Sequence, residues 1–222
     1  MQSIKPKWIK RIFVLILVIF ISYILYLNSL VKSQFSSEIE LKDNVVQIQN
    51  LIDDYPKELI NMLLLVEDQS FFNHKGVDFK EIFRVLYGYL FEEKELRGAS
   101  TITQQLIKNT LLSRDKTLAR KTDEALMAIL MEMSYDKNFI LERYMNTVYL
   151  AQQGSTAIHG FASGSLHYFD KDVESLNLEE MATLVALLKG PSYYNPVNSP
   201  ERLSRRVEMI LSMHKNYKKI IQ

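Results

Sequence analysis

The sequence predicts a mostly α protein in which one N-terminal transmembrane helix precedes a helical domain. Three observations predict it. An uncharged apolar run of bilayer length lies near the N-terminus. Helix-start and helix-stop residues recur through the rest of the chain. No alternating strand pattern of useful length and no internal repeat appears.

Residues 12–31 read IFVLILVIFISYILYLNSLV, with no charge and only Ser22, Asn28 and Ser29 clearly polar. At 1.5 Å per residue a helix of this length spans roughly 30 Å, the hydrocarbon thickness of a bilayer. Lys5, Lys7, Lys10 and Arg11 precede it, and no acidic residue occurs before Glu38. The positive-inside bias therefore assigns residues 1–11 to a cytoplasmic tail and everything after residue 31 to the extracytoplasmic side. Trp8, Tyr23 and Tyr26 are candidate interface anchors. A cleaved signal peptide is the competing reading, but the run is long and no small-x-small cleavage pattern follows it.

Residues 32–50 are polar and mixed and read as a stalk, with an extended segment around Val45 to Ile48. The domain proper is expected over residues 51–222. Asp53, Asp54 and Pro56 open a helix running toward Glu67. Asp78 with Glu81 resembles a capping box and opens another through about Phe91. Helices are expected at about 101–112, 117–133, 137–150 and 156–168. Asn177 with Glu180 starts the next, closed by Gly190 and Pro191, and Ser199–Pro200 starts the last.

Composition narrows the function classes. The formal net charge is +1, so no global electrostatic case for nucleic acid exists. Four of the 27 basic residues and none of the 26 acidic ones precede the apolar run, which leaves the remainder slightly acidic. The absence of cysteine excludes disulfides and cysteine-bound zinc, and is compatible with an oxidising compartment. His74, His159, His167 and His214 are scattered, without the pairing a zinc ligand set needs.

Polar residues fall on helix faces in two stretches. Thr101, Gln104 or Gln105, and Lys108 recur at three- and four-residue spacing and share a face, with Ile102 and Leu106 turned partly away. Arg120 and Glu124 are four apart, ahead of an apolar run to Met131. By spacing alone such pairs are more often solvated decoration. Glu67 and Asp68 end the apolar stretch Asn61–Val66 and run into Phe71, Phe72 and His74. A carboxylate among such neighbours is expected to be partly desolvated, a setting that suits a general base. The bland alternative is a helix-end acid facing water, and His74 alone is more often structural. Seven aromatics lie between Phe71 and Phe91, and Ile82 to Phe91 carries only Arg84 as a charge. A helix apolar nearly all round is either buried or touches lipid.

Together these segments resemble the glycosyltransferase domain of class A penicillin-binding proteins and of monofunctional biosynthetic peptidoglycan transglycosylases. Glu67-Asp-Gln-Ser-Phe-Phe-Asn-His74-Lys-Gly76 is similar to the first family motif. Gly98-Ala-Ser-Thr-Ile-Thr-Gln-Gln-Leu-Ile-Lys-Asn109 is similar to the second and Arg120-Lys-x-x-Glu124-Ala to the third. Ile140-Leu-Glu-x-Tyr-Met-Asn146 resembles the fourth, and Gly160-Phe-Ala with Leu187-Leu-Lys-Gly-Pro-Ser-Tyr-Tyr-Asn-Pro196 completes the pattern. The likeness covers residues 51–212 in order, and five motifs in register are far more specific than one. Ala99 stands where the family usually has a second glycine, which alanine tolerates if its φ is negative. The chain ends shortly after the last motif, so the monofunctional type is the closer likeness.

The resemblance implies a lysozyme-like helical lobe with a smaller membrane-contacting jaw, which gives the aromatic run a purpose. It implies an inverting enzyme that polymerises lipid II into β-1,4-linked glycan strands and releases undecaprenyl pyrophosphate. By resemblance Glu67 is the general base. Lys108 and Arg120 meet the pyrophosphate, and Glu124 either ligates a divalent ion (Mg or Mn) or orients the basic residues. Thr101, Gln105 and Asn109 are expected to bond phosphate or sugar, and Asp68, Phe71 and His74 to shape the site. The implied partners are lipid II, the lipid-linked glycan strand, membrane lipid and other cell-wall synthesis proteins. The implied location is a bacterial inner membrane, single-pass, with the catalytic domain outside. Two rivals are a strand-cleaving lytic enzyme, which needs no pyrophosphate-binding cations, and a non-catalytic lipid II-binding scaffold.

Overall fold

The computed structural model describes residues 7–36, 45–47, 50–92, 98–113, 115 and 117–217. Residues 1–6 of the expected tail, most of the expected stalk, Ile48 and Arg97 lie outside them. The architecture is mostly α, as the punctuation predicts. In chain order come α1 (Lys7–Ser36), β1 (Val45–Gln47), α2 (Lys57–Glu67), α3 (Phe79–Phe91), α4 (Ile102–Leu111) and α5 (Leu118–Ser134). Then follow α6 (Lys137–Thr147), β2 (Tyr149–Gln153), β3 (Thr156–His159), α7 (Phe161–Phe169), α8 (Leu178–Leu187) and α9 (Pro200–Asn216).

The anchor helix differs from its expected form at its far end. It does not stop at residue 31 but runs unbroken to Ser36. Its first two-thirds expose apolar side chains on every side, as a lipid-facing helix must. Its last third is part of the domain. Leu27, Val31 and Phe35 are buried against α5 and α4, and Phe35 meets Tyr135 edge-on at 6.4 Å. The first residues assigned to a stalk are therefore helix, and β1 further along is a sheet strand.

Helix α2 is the centre of the core. Leu59 through Leu65 are all buried, so it is covered on every face, chiefly by α8 and α9. Such a helix is held by its surroundings, and its end is a fixed platform for the residue that follows. Asn177, expected to start α8, forms a full capping box there, accepting from the Glu180 amide while Glu180 Oε2 accepts from the Asn177 amide at 2.9 Å. At α3 the Asp78 side chain accepts from the Glu81 amide.

A small sheet has the order β1-β3-β2, with β1 parallel and β2 antiparallel to β3. Strand β1 falls on the expected extended segment, whereas β2 and β3 overlap the ends of two expected helices. Helix α6 ends at Thr147 instead of about 150, and α7 begins at Phe161 instead of about 156. A register shift between Tyr149 and Ala151 breaks the two-residue burial alternation, so β2 carries no strand period to read. Gly160 makes the turn into α7 with φ 85°, and a Cβ there would lie 2.7 Å from the Asn146 carbonyl oxygen. Asn146 in turn exchanges hydrogen bonds with the backbone of Asn50 and accepts one from Tyr55.

Helix α3 stands apart from the core. Among its residues only Gly88 is buried, while Phe79, Phe83, Tyr87 and Phe91 are exposed, Phe83 by 70%. Of the two options for this aromatic helix, burial within the chain does not occur.

Candidate active site

The site begins at the end of α2. Glu67 is its last residue and is half-buried, and Asp68 caps the helix by donating its amide to the Leu64 carbonyl. Asp68 is buried and its carboxylate serves two elements. Oδ2 accepts the Ile102 amide at 2.9 Å, where α4 begins, and pairs with His74 Nε2 at 3.0 Å. A carboxylate at a helix start also meets the positive end of the helix dipole. His74 is thereby locked, its other nitrogen 3.7 Å from Glu132 Oε1.

Glu132 gathers the rest of this cluster. It accepts from the Thr103 hydroxyl at 2.7 Å and pairs with Lys137 Nζ at 2.6 Å. That amine also lies 4.3 Å from the centroid of the fully buried Phe71 ring. Burial pushes the Lys137 amine below the usual lysine range, with Glu132 acting the other way. Asp68, Phe71 and His74, expected to shape the site, belong to a buried network that ties the Glu67 segment to α4, α5 and α6.

Gly76 lets this segment lie against α5. Its φ is 85°, and a Cβ would sit 2.5 Å from the Ala128 carbonyl. Its own carbonyl accepts from the Thr101 hydroxyl at 2.6 Å, and that hydroxyl also accepts the Gln104 amide. Thr101 is 2% exposed, so its hydroxyl is a helix cap and a loop clamp, not the open phosphate or sugar contact expected of it. Ala99 causes no strain, because Asp170 is the only non-glycine residue with positive φ among the described residues.

Gln105, expected to bond phosphate or sugar, is turned to Glu67. Its Nε2 donates to Glu67 Oε2 at 2.8 Å, while its Oε1 accepts from the Tyr144 hydroxyl at 3.1 Å. Among the described residues no cation pairs with Glu67. Lys108 and Asn109 follow on α4, exposed to solvent, and Lys108 has no ion-pair partner among the described residues.

The second carboxylate has the opposite setting. Glu124 is 1% exposed on α5, with Arg120 Nη1 at 3.0 Å from one oxygen and Lys121 Nζ on the other. Lys121 also donates to Ser100 at 2.6 Å, and the Arg120 Nε donates to the Asp115 carbonyl. Two cations on one buried carboxylate leave a net positive cluster beside the loop that opens α4. The donor set does not fit a resident divalent ion. Both Glu124 oxygens are held by cations, and no group of three metal-ligating side chains occurs among the described residues. Of the two expected roles for Glu124, orienting basic residues is the one its contacts match.

The sequence-predicted residues thus form two groups, Glu67 with Gln105 and Arg120 with Glu124, and α4 packs beside both. Lys121 and Tyr144 lie within the third and fourth motifs, which by themselves assign them no contact. Glu132 and Lys137 left no sequence signal, since their pairing crosses the break between α5 and α6.

Comparison with known proteins shows the family. The family described as Transglycosylase matches residues 33–215. Penicillin-binding protein 1B of Haemophilus influenzae is 40% identical over 178 residues, covering 80% of this chain and 23% of that protein. Penicillin-binding protein 1B of Vibrio cholerae is 44% identical over 161 residues, 72% of this chain and 21% of its own length. Penicillin-binding protein 1A of Neisseria lactamica is 45% identical over 161 residues, 72% of this chain and 20% of its own. The chain spans about a fifth of the length of these curated relatives. With more than half its length matched, and in a helical, lysozyme-like fold, the chain belongs to the transglycosylase family.

Proposed function

We propose that this domain is a peptidoglycan glycosyltransferase that polymerises lipid II at a membrane surface, with Glu67 as general base. The observation that carries the reading is the state of Glu67. It is a half-buried carboxylate at the end of a rigid helix, held by an amide donor and neutralised by no cation among the described residues. Such a group keeps a lone pair for an incoming hydroxyl proton.

In the proposed step the 4-hydroxyl of the acceptor sugar attacks the anomeric carbon of the lipid-linked strand. A new C–O bond forms on one face while the bond to pyrophosphate breaks on the other, inverting the centre. The hydroxyl proton passes to Glu67, and the electron pair leaves with the pyrophosphate. A base in this position contributes ~10²–10⁴-fold. The departing charge is met by Arg120 and Lys121, oriented by Glu124, and by the exposed Lys108. These cations also favour polymerisation over strand cleavage, which has no pyrophosphate to stabilise.

A polyprenyl substrate stays in the bilayer, so the site must lie near it. The exposed apolar helix α3 and the anchor α1 supply two attachments, with the domain on the extracytoplasmic side by the positive-inside bias. The test is incubation of the purified full chain in vesicles with lipid II, reading product length on a gel. Glycan ladders that vanish in Glu67→Gln are the expected result. No ladder from the folded wild type, or an unchanged ladder from Glu67→Gln, overturns the proposal.

A further inference from the structure

The hydrogen-bond chain that ends on Glu67 starts at a residue the proposed step does not use. Tyr144 is 1% exposed, and Gln105 Oε1 is the partner of its hydroxyl. Gln105 relays that contact to Glu67 through its other amide atom, at 2.8 Å.

The two ends of a glutamine amide have nearly the same shape but opposite hydrogen-bonding character. With Nε2 toward Glu67 the amide donates, which suits an ionised carboxylate. With Oε1 toward Glu67 it accepts, which suits only a protonated one. The choice is made at the inner end. Burial, and next the Glu67 and Asp68 charges, keep the Tyr144 phenol protonated. A buried phenol must give its proton to something, and reversing the amide would leave it facing another donor.

We infer that Tyr144 is a positioning residue for Glu67: it sets the direction of the Gln105 amide and so holds Glu67 as an ionised hydrogen-bond acceptor. The inference rests on the reading of Glu67 as the base. Few other charges face that carboxylate. Asp68 follows it in the chain but is itself paired with His74 and bonded to the Ile102 amide. Helix α4 offers Gln105 and, three residues on, the solvent-exposed Lys108, and α6 offers Tyr144. Among the described residues no ion pair to Glu67 does the work of the amide.

The test is the pH dependence of kcat/KM for lipid II polymerisation by the full chain in vesicles, comparing wild type with Tyr144→Phe. Without the phenol the amide is free to reverse and accept from protonated Glu67. The acid limb is expected to rise by about one pH unit, a roughly tenfold loss on the acid side, with recovery at higher pH and KM unchanged. In a Gln105→Met background Tyr144→Phe is expected to add no further shift. An unmoved acid limb, or an equal loss at every pH, overturns the inference and leaves Tyr144 a packing residue. If Tyr144→Phe does not fold, Gln105→Met tests the link through which Tyr144 acts, and an unmoved acid limb there overturns the inference. Glu67→Gln separates the two layers. Retained activity there defeats the base assignment, whereas an inactive Glu67→Gln with an unmoved Tyr144→Phe limb defeats only the role of Tyr144.

Discussion

Tyr23, on the apolar anchor helix, donates a 2.5 Å hydrogen bond to Asp123, the residue before Glu124 on α5. The anchor is thus joined to the helix that carries the cation cluster, and Leu27, Val31 and Phe35 extend the joint into the core. A chain lacking residues 1–36 loses that apolar plug and is expected to melt well below the full chain. Phe35→Ala alone is expected to cost about 3–5 kcal/mol, the usual range for a large buried aromatic. Equal melting temperatures for the truncated and full chains in the same detergent would show that the plug contributes nothing.

Glu124 is buried between two cations, so its removal does more than delete one charge. Glu124→Ala leaves Arg120 and Lys121 repelling each other and free to move. Polymerisation is expected to fall strongly in Glu124→Ala, in Arg120→Ala and in Lys108→Ala, because the leaving group loses fixed positive charge. Wild-type turnover in all three would mean that the pyrophosphate is met elsewhere.

Glu132 is expected to matter for folding as much as any core residue. Its carboxylate serves Thr103, Lys137 and His74 at once. Breaking a buried pair from one side costs about 3–5 kcal/mol, because the other charge stays buried without a partner. Glu132→Ala should therefore lower stability by that amount in a denaturation curve, and Glu132→Ala with Lys137→Met should lower it by less. Equal losses in the two variants would rule out a stranded Lys137 charge as the cause.

Much of the fold was legible because it is written in local chemistry. Pro56, Asp78, Thr117 and Asn177 stand at helix starts, where their effect is decided by the next three residues. The hairpin of β2 and β3 was not legible, since a register shift removes its period and its place depends on β1, about a hundred residues away. The end of α1 was misread for a related reason. Leu27, Val31 and Phe35 recur at four-residue spacing, but the run before them is apolar on all sides, so the stripe does not stand out. In the site, the motif residues Glu67, Gln105, Arg120 and Glu124 were legible as types and spacings. What they touch was not, because the pairings of Gln105 with Tyr144 and of Glu132 with His74 exist only after α4, α5 and α6 pack.

Two tyrosines set an alkaline limit on stability. Burial pushes the Tyr168 hydroxyl up to about 12, with Tyr149 adding to it, and burial raises that of Tyr55 further. Both donate hydrogen bonds, Tyr168 to the Leu150 carbonyl and Tyr55 to Asn146. Each folded pKa lies above its unfolded value near 10, so the folded state holds its proton where the unfolded state loses it. Their contribution is complete below about pH 10 and declines as pH rises toward 12. Tyr168→Phe is expected to flatten that decline in denaturation midpoints measured between pH 9 and about 12. An identical slope in the variant would remove Tyr168 from the account.

The exposed face of α3 makes the last prediction, on attachment apart from the anchor. Deleting residues 1–22 removes most of the exposed apolar part of α1 but keeps Tyr23, Leu27, Val31 and Phe35, so the core retains its plug. This shortened chain is expected to float with lipid vesicles reversibly, because an interfacial patch binds in proportion to its buried apolar area. Phe83 and Tyr87 lie on that patch with ring centroids 6.3 Å apart, and Tyr87 meets Phe91 at 4.9 Å. Replacing Phe83 and Tyr87 by Ser should move the protein into water. Since both side chains are exposed, the melting temperature should stay within a degree or two of the parent, as surface substitutions usually change stability by no more than about 0.5 kcal/mol. Lost flotation with unchanged melting identifies a membrane-seated helix. A large fall in melting temperature would mean that these rings pack within the protein in solution, and absent flotation in the parent would leave α1 as the sole attachment.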